Sequence, residues 1–273
     1  MLHIYCDGIF DLFHEGHYLH FKKIKDYFDE PIFLMVGIID DRSATKYKRT
    51  PIMNEEKRYS VVDSCIYVDK TIITNMLIIN KEFMEKFEID YVIHGFSNKE
   101  DINKQDKFFE LPRKLNKFIS IDYNEGISTT SLLEKYDWTI KEPYRPPISF
   151  EINMIFELIK YNNKFLEINC GNSILSKYAK NMNYIGYDKD LDLVHKHITQ
   201  YDSNVINFNC LFKTQYFDYT LLNIIDDNLE EDLDELERIT CTCIFIDNVS
   251  ERHVELLMAH EYKIKNKLAY KFV

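Results

Sequence analysis

The chain is predicted to be an α/β protein: a Rossmann-like domain built on a parallel sheet over residues 1–140, a proline-rich linker at 141–150, and a second, smaller Rossmann-like α/β domain over 151–273. Three observations predict this. Short, β-branched runs alternate with stretches of helical spacing as far as Tyr136. Three of the six prolines then fall together in Lys141-Glu-Pro-Tyr-Arg-Pro-Pro147. Beyond that stretch the alternation starts again.

The first strand is Leu2-His3-Ile4-Tyr5-Cys6, short and β-favouring. Apolar Leu19, Phe21, Ile24, Tyr27 and Phe28 give helical spacing over 18–28. The glycine-containing turn between them leaves backbone N–H groups at a helix N-terminus, where phosphate is favoured. Pro31–Ile39 reads as a buried strand, Asp40–Ser43 as a strand-to-helix loop and Lys46–Pro51 as a basic loop. Asn54 caps a helix carrying Tyr59, Val61 and Val62. Tyr67–Ile73, Tyr91–Gly95 and Phe118–Ile121 supply further strands, with helices at Lys81–Phe87 and Leu132–Tyr136. Such alternation implies a parallel sheet with ligands at the strand C-terminal ends. In the second half, Phe165–Asn169, Tyr184–Asp188, Phe217–Ile225, Cys241–Asp247 and Leu268–Val273 read as strands and Ser173–Lys180 as a helix.

Composition narrows the function classes. With 45% hydrophobic and 29% charged residues the chain is an ordinary soluble protein. A net charge of -11 without a basic cluster argues against nucleic acid and stable membrane association. Six cysteines without a Cys-x-x-Cys pair point to free thiols in a reducing compartment. No apolar run is long enough for a transmembrane helix. His3, Asp7 and Asp11 interrupt any signal-peptide core, so a cytoplasmic location is expected.

The chemistry gathers in Asp7-Gly8-Ile9-Phe10-Asp11-Leu12-Phe13-His14-Glu15-Gly16-His17. His14 and His17, three apart, project from one side of a first helical turn that is expected to be exposed, beside the phosphate-favouring turn. Tyr18 stands where metalloprotease spacing requires a second His, and no Gly-Lys-Ser/Thr loop occurs. Three further motifs follow in order: Tyr47-Lys48 with Pro51-Ile-Met-Asn54-Glu-Glu-Lys-Arg58-Tyr59, then Cys65-x-Tyr67-Val68-Asp69, then Glu125-Gly126-Ile127-Ser128-Thr129-Thr130. Taken together they resemble the cytidylyltransferases that activate phosphocholine, phosphoethanolamine or glycerol 3-phosphate.

That resemblance implies attack by a phosphomonoester oxygen on the α-phosphorus of CTP, with Mg²⁺ as cofactor and metal ligands that the motifs leave unknown. His14, His17 and Lys48 would be catalytic. Gly8, Ile9, Phe10, Gly16, His17, Arg58, His94, Ile127, Ser128 and Thr129 would bind the nucleotide, and Asp7, Lys48 and Phe109 the phospho-base. The Cys65–Asp69 strand is tied in the family to a homodimer interface. The residue types suit the task. Lys48 offers a compact charge to two anions, and donors aimed at developing charge stabilise the transition state.

Departures bear on the substrate. The arginine opening the last signature falls at Tyr123, with Arg113 as a replacement, and the aromatic near the substrate cation falls at Leu77. Asp7 remains to meet the cation, and Phe109 could supply a cation–π face. The histidine stretch looks like the choline branch and His94-Gly95 like the ethanolamine branch. Phosphocholine is the expected acceptor, with phosphoethanolamine and a catalytically reduced nucleotide-binding scaffold as alternatives. No lysine-rich amphipathic stretch follows Tyr136, so lipid-independent activity is expected.

The second half is similar to a class I methyltransferase core, with Glu167, Gly171 and Asp188 in a possible S-adenosylmethionine site. Asn169 and Ser173 stand where that loop carries glycines, and side chains there obstruct close approach. A degenerate module with little or no cofactor binding is therefore expected.

Overall fold

The computed structural model describes residues 1–96, 99–122, 128–139, 155, 163–171, 175, 183–201, 204–206, 211–224, 229–247, 249–265 and 268–273. It divides into two compact units, Met1–Lys135 and Tyr136–Val273.

The first unit is a five-stranded parallel sheet of β1 (Leu2–Gly8), β2 (Ile32–Ile39), β3 (Lys70–Thr74), β4 (Tyr91–His94) and β5 (Phe118–Ser120). The strand order is β3-β2-β1-β4-β5. Central β1 pairs with β2 on one side and β4 on the other, so the order reverses there. In open α/β sheets the crevice outside the strand C-termini at such a reversal is where ligands bind. Asp7 and Gly8 end β1 and His94 ends β4 at that crevice.

Helix α1 (Glu15–Asp26) forms because Tyr18, Phe21 and Ile24 make one buried stripe, with Glu15 in its first turn and Lys23 and Lys25 in its last complementing the helix dipole. Asp40 and Ser43 prove to be more than a loop. The Asp40 carboxylate accepts from Ser43 N at 2.6 Å and caps helix α2 (Asp41–Tyr47), whose C-cap is Lys48. Asn54 caps α3 (Glu55–Ser64) as expected, accepting from Lys57 N at 3.0 Å. After α4 (Lys81–Lys86), a stretch without a sequence assignment folds as α5 (Lys99–Gln105), a 3₁₀ turn Asp106–Phe109 and α6 (Glu110–Lys114). Helix α7 (Thr129–Lys135) follows β5. Tyr5 is fully buried beneath the sheet, and a Cβ at Gly37 would meet its hydroxyl at 2.2 Å, which is why β2 carries glycine there.

The second unit is a seven-stranded sheet in the order β11-β12-β10-β9-β6-β7-β8. Its strands are β6 (Lys164–Ile168), β7 (Asn183–Tyr187), β8 (Val205–Ile206), β9 (Phe217–Asn223), β10 (Thr240–Asp247), β11 (Lys263–Lys265) and β12 (Leu268–Phe272). β6 to β10 run parallel, while β12 is antiparallel to both β10 and β11, so the sheet is mixed. Leu229, Leu233 and Leu236 of the helix Leu229–Ile239 pack on Ile244 and Ile246 of β10. The linker at 141–150 and the helix expected at Ser173–Lys180, apart from Leu175, lie outside the described residues.

Candidate active site

Beyond β1 the chain turns sharply. Phe10 and Leu12 adopt left-handed backbone angles, φ 53° and 48°, although neither is glycine. Such conformations cost about 1–2 kcal/mol each and need support from their surroundings. Burial of Phe10, Leu12 and Phe13 supplies part of it. Asp11 supplies the rest: its buried carboxylate accepts from Arg49 Nη1 at 2.7 Å and from Ile52 N and Met53 N, each at 3.0 Å. The loop after β1 is thereby tied to the loop after α2.

The turn delivers His14 to the N-cap of α1 and His17 to its first turn. Their rings stack with centroids 3.8 Å apart. His17 Nδ1 accepts from His14 N at 3.4 Å, so the neutral His17 ring carries its proton on Nε2. Thr129 Oγ1 donates to Asp11 O at 3.1 Å and lies 3.4 Å from His14 Nε2. With its one proton committed, that hydroxyl can only accept, which assigns the His14 proton to Nε2 as well. Burial holds the His14 pKa down to about 4. His17 lies well below the usual imidazole range, first through burial and then through the neighbouring charges of His14, His20 and Lys48. Burial, with His94 and Lys23, brings His20 down to about 3. Near neutral pH, His14 and His17 are therefore uncharged rings with a single donor each.

His17, His20, Lys48 and Thr129 border a cavity of about 410 Å³. Gly8, Ile9, Phe10, Gly16 and His17 form one side, Lys48 and Arg49 come from the end of α2, and Ser128 and Thr129 from the start of α7. Asp7 and His94 lie at the sheet end, His94 Nδ1 being 3.7 Å from Asp7 Oδ1. The structure thus gathers ten of the site residues expected from sequence around one space. His14 stands behind His17 and is only 2% exposed, which corrects the expectation of an exposed first turn.

Two other expectations are corrected. Arg58 is fully buried and does not line the cavity. Its guanidinium donates to Met53 O, Ile9 O and Ile39 O and pairs with the Asp41 carboxylate at 2.6 Å. It braces the β1 loop instead of clamping a triphosphate. Phe109 is 1% exposed, its ring between His94 at 4.7 Å and Phe118 at 5.0 Å, so no face is offered to a ligand. Arg113 lies over the Phe118 ring and pairs with Asp106 at 3.1 Å, away from the cavity lining. Leu77 joins the apolar packing around Tyr47. Tyr123, Glu125, Gly126 and Ile127 lie outside the described residues.

Sequence reasoning passed over His20, Tyr47, Arg49, Asp101 and Gln105, all in the lining. His20 had a signal, one further step of three along α1 from His17; the others are assembled only by tertiary contact.

In the second unit Glu167, Gly171 and Asp188 are all engaged internally. Buried Glu167 accepts from Tyr184 OH at 2.7 Å and Asn223 Nδ2 at 2.9 Å. Asp188 accepts from Gly171 N at 2.6 Å and Asp190 N at 2.8 Å. Asn169 takes the left-handed φ of 55° that asparagine tolerates better than most residues. Ser173 lies outside the described residues. Among the described residues no three His, Cys, Asp or Glu side chains form a metal-sized group, and no helix is long and apolar enough to cross a membrane.

Comparison with known proteins places this geometry in context. The cytidylyltransferase-like family matches residues 5–149, more than half of the chain. Choline-phosphate cytidylyltransferase 2 of Arabidopsis thaliana is 34% identical over 131 residues, covering 48% of this chain and 43% of that protein. Ethanolamine-phosphate cytidylyltransferase of Dictyostelium discoideum is 31% identical over 132 residues, covering 48% and 36%. The chain thus spans under half the length of these relatives. Among solved structures, a TehB-like SAM-dependent methyltransferase from Corynebacterium glutamicum matches at 14% identity with a TM-score of 0.36, covering 44% of this chain and 85% of that one.

Proposed function

The chain belongs to the cytidylyltransferase-like family, and from that premise we propose that it transfers a cytidylyl group from CTP to a phosphorylated amino alcohol, phosphocholine or phosphoethanolamine, releasing pyrophosphate. One observation carries the reading: His17, Lys48, Ser128 and Thr129 border a single cavity at the strand-order reversal, with His14 stacked behind.

In this reading a phosphomonoester oxygen attacks the α-phosphorus while the bond to the leaving pyrophosphate breaks. Both reactants are anionic, so cations and N–H donors must offset their repulsion. Lys48 supplies a mobile charge between them. The Nε2–H of His17 donates to a phosphate oxygen in the cavity, and the His14 ring fixes the plane in which it does so. As anionic charge builds beside the rings, protonation becomes easier, since an opposite charge favours the charged form. Ser128 adds a hydroxyl to the cavity border, while Thr129, its own proton given to Asp11 O, accepts from the His14 ring and holds it in place. The donor set fits a Mg²⁺ carried in by the triphosphate, because that ion takes most of its ligands from phosphate oxygens and water and needs few carboxylates. Such an ion would help offset charge on the leaving group. Homodimer formation through the Cys65–Asp69 segment belongs to the same proposal.

The test is pyrophosphate release from CTP with each phospho-base in turn. Turnover supports the transferase. Tight CTP binding without turnover of either base would favour the nucleotide-binding scaffold.

A further inference from the structure

We propose that the cavity selects a primary ammonium head group, so that phosphoethanolamine is the preferred acceptor and phosphocholine is discriminated against. The inference rests on the transferase reading above and reverses the preference suggested by the sequence.

The wall that would meet the head group is made by Asp7, Tyr47, His94, Asp101 and Gln105. Gln105 Nε2, at the end of α5, donates to Asp101 Oδ1 in its first turn, which fixes that carboxylate. Asp7 lies 3.7 Å from His94. Tyr47 shares the cavity lining with both carboxylates, and its phenol is pushed up first by burial and then by the charges of Asp7 and Asp101. Two carboxylates, a phenol and a carboxamide oxygen form a wall of acceptors.

A quaternary ammonium has no N–H and is held by aromatic faces. Among the described residues, the phenylalanine faces are turned elsewhere. Phe108 and Phe109 are 8% and 1% exposed and do not line the cavity. Phe10 does line it but packs on His17 and Phe21, with centroids 5.3 and 5.1 Å away. Among the described lining residues, Tyr47 is the phenol ring left for a cation–π contact. A primary ammonium instead brings three N–H donors to the acceptors. Seating a trimethylammonium there would strip water from the carboxylates without returning a hydrogen bond, which is costly. Sites built around donors on the substrate reject analogues that lack them far more strongly than apolar pockets reject a methylene.

The experiment compares phosphoethanolamine, its N-methyl and N,N-dimethyl derivatives and phosphocholine as acceptors, using the full chain and saturating CTP. The expected result is a stepwise fall in kcat/KM with methylation, about 100-fold or more across the series. Asp101→Asn should raise KM for phosphoethanolamine at least about tenfold and narrow the ratio between the two bases, with KM for CTP and the melting temperature little changed; Asp101→Glu should restore part of the preference. Equal or better use of phosphocholine overturns the proposal, as does an unchanged ratio in Asp101→Asn. If neither base is turned over, the transferase reading fails separately. Calorimetric binding of the two phospho-bases then decides selectivity, and equal affinities overturn it.

Discussion

The imidazoles of His14 and His17 stack at a centroid separation of 3.8 Å with planes 22° apart, one ring in the cavity wall and the other buried behind it. This arrangement separates their roles. His17→Ala removes a donor from the cavity and should lower kcat about 10²–10³-fold with a small change in melting temperature. His14→Ala also removes a buried N-cap side chain, so it should lower both kcat and stability, the latter by about 1 kcal/mol or more. Pyrophosphate release and thermal melting read the two effects. Unchanged kcat in His17→Ala would take that residue out of the mechanism.

Buried neutral histidines make stability depend on pH with a defined sign. His14 titrates near 4 in the folded chain against 6.5 for a free imidazole, and His20 near 3. Between these values the unfolded chain binds more protons than the folded one. Their contribution is therefore complete above pH 6.5 and is lost as pH falls towards 4 and then 3. Melting temperatures of wild type and His20→Asn, followed from pH 7 to pH 4, should converge as acid is added. A constant gap across that range would mean that His20 is not held neutral by burial.

Lys48 and Arg58 should respond in opposite ways. Lys48 is exposed and its side chain makes no hydrogen bond or ion pair among the described residues, so Lys48→Ala should reduce kcat/KM about 100-fold or more with stability within about 0.5 kcal/mol. Arg58→Lys keeps the charge but cannot reach three carbonyls and a carboxylate at once. A loss of about 3 kcal/mol or more is expected, since buried acceptors are left unpaired. A well-folded Arg58→Lys with raised KM for CTP would restore the triphosphate clamp.

The contrast between those two cations shows what the sequence could and could not reveal. The five strands are legible because β-branched runs are local signals, as is the cap at Asn54, but β3 starts only at Lys70: Tyr67–Asp69, expected as strand, form the turn that leads into it. Helix α2 was missed because Asp40 reads equally as a loop residue or a cap, and α5 to α6 because Lys, Asp and Asn give that stretch little apolar period. The histidine pair was legible from spacing alone. The sequence suggests ligand-binding roles for Arg58 and Phe109 that the structure does not support, because residue type does not disclose burial. Asp11, Tyr47, Asp101 and Gln105 acquire their roles only when β1, α2 and α5 meet at the strand-order reversal, a relation between segments distant in the chain.

The last prediction concerns the second unit. An acidic side chain that binds a cofactor ribose must offer its oxygens to the ligand, yet both oxygens of Asp188 accept backbone N–H groups, from Gly171 at 2.6 Å and Asp190 at 2.8 Å. Glu167 is buried against Tyr184 and Asn223. A ribose would have to share the Asp188 oxygens with these N–H groups or displace them, and each charge-assisted hydrogen bond displaced, worth about 1.5–3 kcal/mol, would cost roughly tenfold or more in affinity. Calorimetry on the full chain should therefore detect no binding in the micromolar range. Asp188→Ala should instead destabilise the unit by about 1 kcal/mol, because the part-buried N–H groups of Gly171 and Asp190 lose a charged acceptor. Micromolar affinity for S-adenosylmethionine, abolished in Asp188→Ala, would show that the carboxylate exchanges its backbone partners for the ribose and that the second unit holds a working cofactor site.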